Sequence, residues 1–209
     1  MPEDQVHHTI KPVRARHAAS LIVLRGQGDN PELLMGMRGA SHRFNPNRLV
    51  FPGGAVDRAD LTAPCATPLS PRTEWALRKS ANPRLAHGLG IAAARELLEE
   101  TGLTLGSPPR LDVLAYLMRA VTPVARPIRF NARFFVVDEA YVSGSLGGDG
   151  ELEDLRFYRL REALAIDLAV PTRRVLEQLQ NWLAMTDAER TAMSHTPVLR
   201  GHEPRQWRE

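Results

Sequence analysis

Cysteine is nearly absent from this 209-residue chain. Cys65 is the only one, so neither an internal disulfide nor a multi-thiolate metal site can form. Aromatic residues make up only 6% of the sequence, and no basic–aromatic cluster stands out. That argues against a stacking platform for single-stranded nucleic acid, such as an RNA 5′-end hydrolase needs. Lysine is scarce too: Lys11 and Lys79 are the only two among 27 basic residues. The arginines are scattered rather than blocked, which argues against a dedicated nucleic-acid arm. No apolar run reaches the roughly 18 residues of a membrane span, and the N-terminal stretch has no apolar signal core. The last residues, Gln206-Trp207-Arg208-Glu209, form no retention or peroxisomal address. A cytoplasmic protein without membrane attachment is expected. The formal charge of +3 is modest beside a sequence pI of about 9.5 and carries little functional weight.

With 43% hydrophobic content, the chain can bury one good core. The expected organisation is a polar leader over 1–16, a single domain over 17–185 and a C-terminal tail over 186–209. Apolar segments at 18–25, 32–38, 49–51, 111–121, 129–138 and 155–160 read as strands. Helices are expected at 73–80, 90–101, 161–167 and 172–185, the last opened by Pro171. Residues 143–150 read as a Gly-rich turn, and no internal repeat is visible. Strands mixed with helices predict an α/β fold, an α/β/α sandwich with a mixed β-sheet.

The most informative segment is Arg95-Glu96-Leu97-Leu98-Glu99-Glu100-Thr101-Gly102-Leu103. On a helix turning about 100° per residue, Glu96, Glu99 and Glu100 fall in one sector. Ile91, Ala94 and Leu98 lie on roughly the opposite side with Leu97 flanking them, so that side is expected to be buried. Gly102 suits the left-handed position that ends a helix. Like charges this close repel, each pair by up to a few kcal/mol at an effective dielectric near about 20. A hard divalent cation would neutralise them, and oxygen-only donors without Cys or His point to Mg²⁺ or Mn²⁺. A generic Glu-Glu pair is most often a solvated helix end. The nine-residue pattern, however, arises by chance in on the order of one chain in 10⁵ of this size.

This pattern resembles the second half of the Nudix box. Phe51-Pro52-Gly53-Gly54 resembles the first half, with Asp60 standing where the family carries a Glu. An uninterrupted box would place the Arg at position 68. It stands at 95, so the box carries a 27-residue insert, read as 61–87. Pro64, Pro68, Pro71 and Pro83 argue against one long helix there. The resemblance implies a Nudix-type sandwich and a divalent-metal-dependent hydrolase that cleaves the diphosphate linkage of a nucleoside diphosphate derivative. It makes Glu96, Glu99 and Glu100 ligands of Mg²⁺ or Mn²⁺, joined by the carbonyl of Gly54. Arg95 would brace the glutamates by ion pairs, and Asp60 would join that network with a reach one methylene shorter. Glu99 and Glu100 are the leading catalytic carboxylates. Nudix enzymes take their general base from different places. Glu151, ahead of Glu153 and Asp154, is the candidate here, and an ordinary acidic surface loop is the plain alternative.

The likeness extends to a subgroup. The interrupted box is similar to that of the coenzyme A diphosphatases, as are Arg38, Phe44, Pro46 and Val50 ahead of it and Thr122-Pro123 with Arg129–Phe135 beyond. CoA or acyl-CoA is therefore the first expected substrate, with ADP-ribose or a dinucleotide as the alternative. A non-catalytic nucleotide-sensing module is the other class. Two departures count against CoA: Asn47 replaces a Gly of typical CoA-cleaving members, and Asn131 replaces an Asp. Arg38 and Arg43 are candidates to grip substrate phosphates by bidentate bonds, although solvated surface arginines fit as well. Trp75 reads as an anchor of the insert in a small core rather than a platform for adenine. His42 and His87 lack metal-ligand spacing and read as polar loop residues; His7-His8 belong to the leader. Homodimers are common in this family, so a homodimer is an expectation.

Overall fold

Alternation along two neighbouring strands sets the architecture. Residues 16–25 and 130–138 pair in parallel, with Leu21 opposite Phe135 and Ile22 opposite Val136. Successive side chains of a strand point to opposite faces. Ala19, Leu21, Val23, Phe135 and Val137 therefore enter one core, while Ile22, Leu24, Phe134 and Val136 enter another. The computed structural model describes residues 13–39, 47–148 and 150–200, and the backbone of 207–208.

In chain order the elements are β1 (Arg16–Arg25), β2 (Glu32–Arg38), β3 (Leu49–Val50), β4 (Gly53–Ala55), α1 (Pro71–Leu77), α2 (Pro83–Thr101) and β5 (Leu103–Thr104). There follow β6 (Ala115–Val121), β7 (Phe130–Asp138), β8 (Ser143–Gly144), β9 (Leu152–Arg159), α3 (Leu160–Ala165), α4 (Val170–Leu183), α5 (Asp187–Ala192), β10 (Pro197–Arg200) and β11 (Trp207–Arg208). The main sheet runs β11-β10-β6-β7-β1-β2-β3, with β4 also on β1 and β9 also on β2. The β1–β7 and β6–β10 pairs are parallel and the other pairs antiparallel, so the sheet is mixed. Helix α2 covers one face through Ala86, Leu89, Ala93 and Leu97; α3 and α4 cover the other through Leu160, Val175, Leu176 and Leu179. This is the expected α/β/α sandwich. Among the described residues no helix is long and apolar enough to cross a membrane.

Several boundaries differ from expectation, each for a physical reason. Helix α2 begins at Pro83 rather than Gly90 and runs for 19 residues. Pro83 is not a breaker there. It occupies the first turn, where its missing N–H costs nothing, and Asn82 Oδ1 caps the end by accepting from the Leu85 N–H at 2.8 Å. Pro71 plays the same part in α1, which starts two residues early behind the Ser70 cap. Strand β6 starts at Ala115, because Leu111–Leu114 form a turn closed by Leu114 N–H to the Leu111 carbonyl at 3.2 Å. Strand β9 starts at Leu152, so Glu153 and Asp154 sit in a strand rather than a loop; a register shift opposite Met35 and Met37 admits them. The 186–209 stretch, expected as a tail, supplies α5 and strands β10 and β11, and Val198 and Leu199 of β10 are buried beside β6.

Helix α2 buries Ile91, Ala94 and Leu97 as expected, but not Leu98. Leu98 is 50% exposed, whereas Leu97, Glu100 and Thr101 are buried. The buried stripe runs Ala86-Leu89-Ala93-Leu97-Glu100, the ordinary three-and-four spacing, and it ends on a carboxylate.

Candidate active site

The glycine pair of β4 lets two glutamates of α2 reach the sheet. Gly53 N–H donates to Glu100 Oε2 at 2.8 Å. A Cβ on Gly53 would lie 2.5 Å from the Ala19 carbonyl, so only glycine packs against β1 here. A Cβ on Gly54 would lie 2.3 Å from Glu96 Oε1, so that side chain fills the space a larger residue would take. The two half-boxes are therefore adjacent despite the residues between them.

Arg95 joins them. Its Nε and Nη2 donate to the two Asp60 oxygens at 3.0 and 3.1 Å, and Nη2 also donates to the Ala55 carbonyl at 3.0 Å. Nη1 donates to Glu96 and Glu99, both at 2.8 Å. Burial opposes the guanidinium charge, but the bonds to Asp60 and the charge of Glu96 outweigh it, and its pKa is raised. Asp60 is 2% exposed and fully engaged, its Oδ2 also accepting from Asp57 N–H at 2.8 Å. The shorter Asp reaches Arg95 because its own 3₁₀ turn, Ala59–Leu61, packs beside α2.

One guanidinium, shared with Asp60, does not offset the charge of Glu96 and Glu99 together. Burial raises the Glu96 pKa against the pull of Arg95, and Glu99 and Glu151 raise it further. Burial pushes Glu100 up to about 8 despite the Gly53 N–H; the charges of Glu151 and Glu96 add to this, and Arg38 opposes it. Glu151 thus belongs electrostatically to the cluster. The Gly-rich stretch before it explains how: β8 pairs β5, Gly147 N–H donates to the Thr101 carbonyl at 2.9 Å, and a Cβ on Gly148 would lie 2.1 Å from the Glu100 carbonyl. Arg95 holds Glu96 and Glu99 while Gly53 holds Glu100. Among the described residues, no three Asp, Glu, His or Cys side chains converge as a ready metal cage.

Other expected positions divide. Arg38 ends β2 opposite Leu152, and its Nε is buried without a hydrogen bond among the described residues. Asn47, which stands for a Gly, has φ 53°, a left-handed conformation that Asn tolerates better than other side chains. The backbone reason for glycine is therefore met. Asn131 accepts from Arg119 Nε at 2.7 Å. Trp75 does not anchor a core. It is 52% exposed beneath Lys79, whose Nζ lies 4.1 Å from the ring centre, and Thr73 and Leu77 face inward instead. His87 is not in a loop but on α2, its Nε2 2.8 Å from the Ala63 carbonyl. Arg43, His42, Phe44, Pro46, His7 and His8 lie outside the described residues.

A family model of the NUDIX domain matches residues 88–179, from within α2 to within α4. That span of the chain is similar to the NUDIX domain. The matched span holds the second half-box and Glu151; the first half-box precedes it and is brought alongside by the fold. Solved Nudix structures share that fold. A NUDIX hydrolase from Alicyclobacillus acidocaldarius superposes with a TM-score of 0.64 at 23% identity, over 86% of this chain and 96% of its own. A MutT NUDIX hydrolase from Burkholderia pseudomallei gives 0.53 at 19%, over 80% and 99%. The NUDIX domain of Shewanella oneidensis NrtR, crystallised with ADP ribose, gives 0.53 at 14%, over 88% and 100%. The comparison with curated proteins finds no match. Nudix hydrolases act on nucleoside diphosphate derivatives generally, and generally use divalent metals.

Proposed function

We propose that this protein is a Mg²⁺- or Mn²⁺-dependent hydrolase of the diphosphate linkage in a nucleotide derivative, with CoA or acyl-CoA as the first substrate. The observation that carries the reading is the negative cluster at the Gly53–Gly54 turn. A carboxyl pushed up to about 8 is one that a dication would restore to its ionised form. The donor set is oxygen-only and suits such an ion. Glu96, Glu99, Glu100 and the Gly54 carbonyl would hold it. A bound divalent ion would neutralise the diphosphate and make an attacking water more acidic.

The remaining roles fall to this chain's own residues. Glu151 is the candidate to accept the proton of the attacking water. Arg38, whose charge Glu100 feels, would meet a substrate phosphate, with Arg43 as its partner. Arg95 fixes Glu96 and Glu99 and, through Asp60 and Ala55, the approach of β4. The interrupted box favours CoA. ADP-ribose is the second substrate to try, because a Nudix domain of this fold was crystallised with it. The same reading takes the protein as a cytoplasmic homodimer acting on small molecules, without nucleic-acid or membrane partners; light scattering tests the dimer.

The test is a substrate panel of CoA, acetyl-CoA, ADP-ribose and dinucleotides with Mg²⁺, Mn²⁺ or EDTA. Cleavage of CoA would release adenosine 3′,5′-bisphosphate and 4′-phosphopantetheine. Full turnover by both Glu99→Gln and Glu100→Gln would remove the mechanism, and binding without turnover under any divalent ion would favour a nucleotide sensor.

A further inference from the structure

A cavity lies beside the first turn of α2, at the helix end remote from the carboxylates. Its volume is about 390 Å³. Arg14, Arg16, His17 and Arg58 line it over an apolar wall of Val56, Leu61 and Leu85, and Asp57 is its one carboxylate. Leu85 and Glu96 are eleven residues apart on one helix, which is about 16 Å along its axis. The Leu85 end of the cavity therefore lies well clear of Glu96, while its Val56–Asp57 edge follows directly on the Gly53–Gly54 turn.

The cavity is mostly apolar, and its charged side chains are cationic except for Asp57. Arg14, Arg16 and Arg58 are exposed and have no carboxylate partner among the described residues. His17 is more constrained. Arg133, fully buried on β7, places Nη1 2.9 Å from His17 Nδ1. A guanidinium only donates, so Nδ1 accepts and the ring proton sits on Nε2. The surroundings keep the imidazole neutral, because burial and then the charges of Arg133, Arg14 and Arg119 lower its pKa. Three arginines and a histidine around an apolar wall suit a phosphate attached to a flat or apolar body. The volume falls in the range of small-ligand pockets.

We infer that this cavity is a second binding site, one that takes the phosphate of a nucleotide-sized phosphorylated molecule on Arg14, Arg16 and Arg58. The site uses no metal and none of the four glutamates, so it stands independently of the hydrolase reading. The phosphate has two sources: a separate ligand, or the distal phosphate of an extended substrate.

Calorimetry in EDTA with adenosine 5′-monophosphate, inorganic phosphate and adenosine tests it. The proteins are wild type, Glu99→Gln and the double variant Arg16→Gln/Arg58→Gln. The monophosphate should bind wild type and Glu99→Gln alike, and inorganic phosphate should compete with it. The double variant should weaken binding at least about tenfold while melting like wild type without ligand, because both arginines are exposed. Unchanged affinity in the double variant overturns the proposal, as does equal binding of adenosine. Loss confined to Glu99→Gln also overturns it and moves the ligand to the carboxylates. Where the proposal holds, a raised KM with unchanged kcat in the double variant assigns the phosphate to the substrate. Unchanged kinetic constants assign it to a separate ligand.

Discussion

Glu100 should make the protein less stable as pH rises, and Glu100→Gln should remove that dependence. Its carboxyl titrates near 4.5 in an unfolded chain and near about 8 in the folded one. Below pH 4.5 both states are protonated, and burial of the neutral acid carries no charge penalty. Between the two values the unfolded chain releases a proton that the folded chain retains, so stability falls with each pH unit; above about 8 the loss is complete. At roughly 1.4 kcal/mol per unit, the whole window is worth on the order of 5 kcal/mol. For a chain of this size that corresponds to very roughly 10–20 °C in melting temperature. The assay is thermal unfolding in EDTA at several values between pH 5 and 9, for wild type and Glu100→Gln. His17, whose pKa is lowered, contributes the opposite slope near its ordinary pKa, and the raised Glu96 persists in both proteins. The difference between the two profiles therefore isolates Glu100. Adding Mn²⁺ at high pH should restore wild type more than the variant. Parallel pH profiles for the two proteins would refute the reasoning.

Three further outcomes follow from the same geometry. Arg95→Met leaves Asp60 buried without its cation and should lower urea-unfolding stability by about 3 kcal/mol. Gly54→Ala pushes only against the end of the Glu96 side chain. It should keep the melting temperature within a few degrees yet reduce metal-stimulated turnover at least about tenfold. Gly148→Ala meets backbone instead, at the Glu100 carbonyl, from a φ of 106°; chemical denaturation should show a loss of about 2 kcal/mol or more.

The strands and the acidic helix were legible because apolar alternation and a rare motif carry them. What escaped was polar groups in apolar places. Charge is expected to face water, whereas Glu100 is buried against the Gly53 amide and Leu98 is left outside. Arg133 escaped for the same reason, although it shares strand parity with the buried Phe135 and that signal was present. Pro71 and Pro83 read as breakers because nothing in the composition of the insert marks a first helical turn. The placement of Glu151 beside Glu96 and Glu100 depends on a loop folding back over Thr101, which only the glycines at 147 and 148 hinted at.

The Arg95 guanidinium reaches Ala55 and Asp60 on one side and Glu96 and Glu99 on the other. It, rather than the peptide chain, is the rivet between the halves of the motif. The intervening segment can then lengthen or shorten without altering the fit, since doubling a tether adds only about 0.6 kcal/mol of closure entropy. A contiguous signature is thus a convenience of sequence, and its interruption leaves the machinery whole.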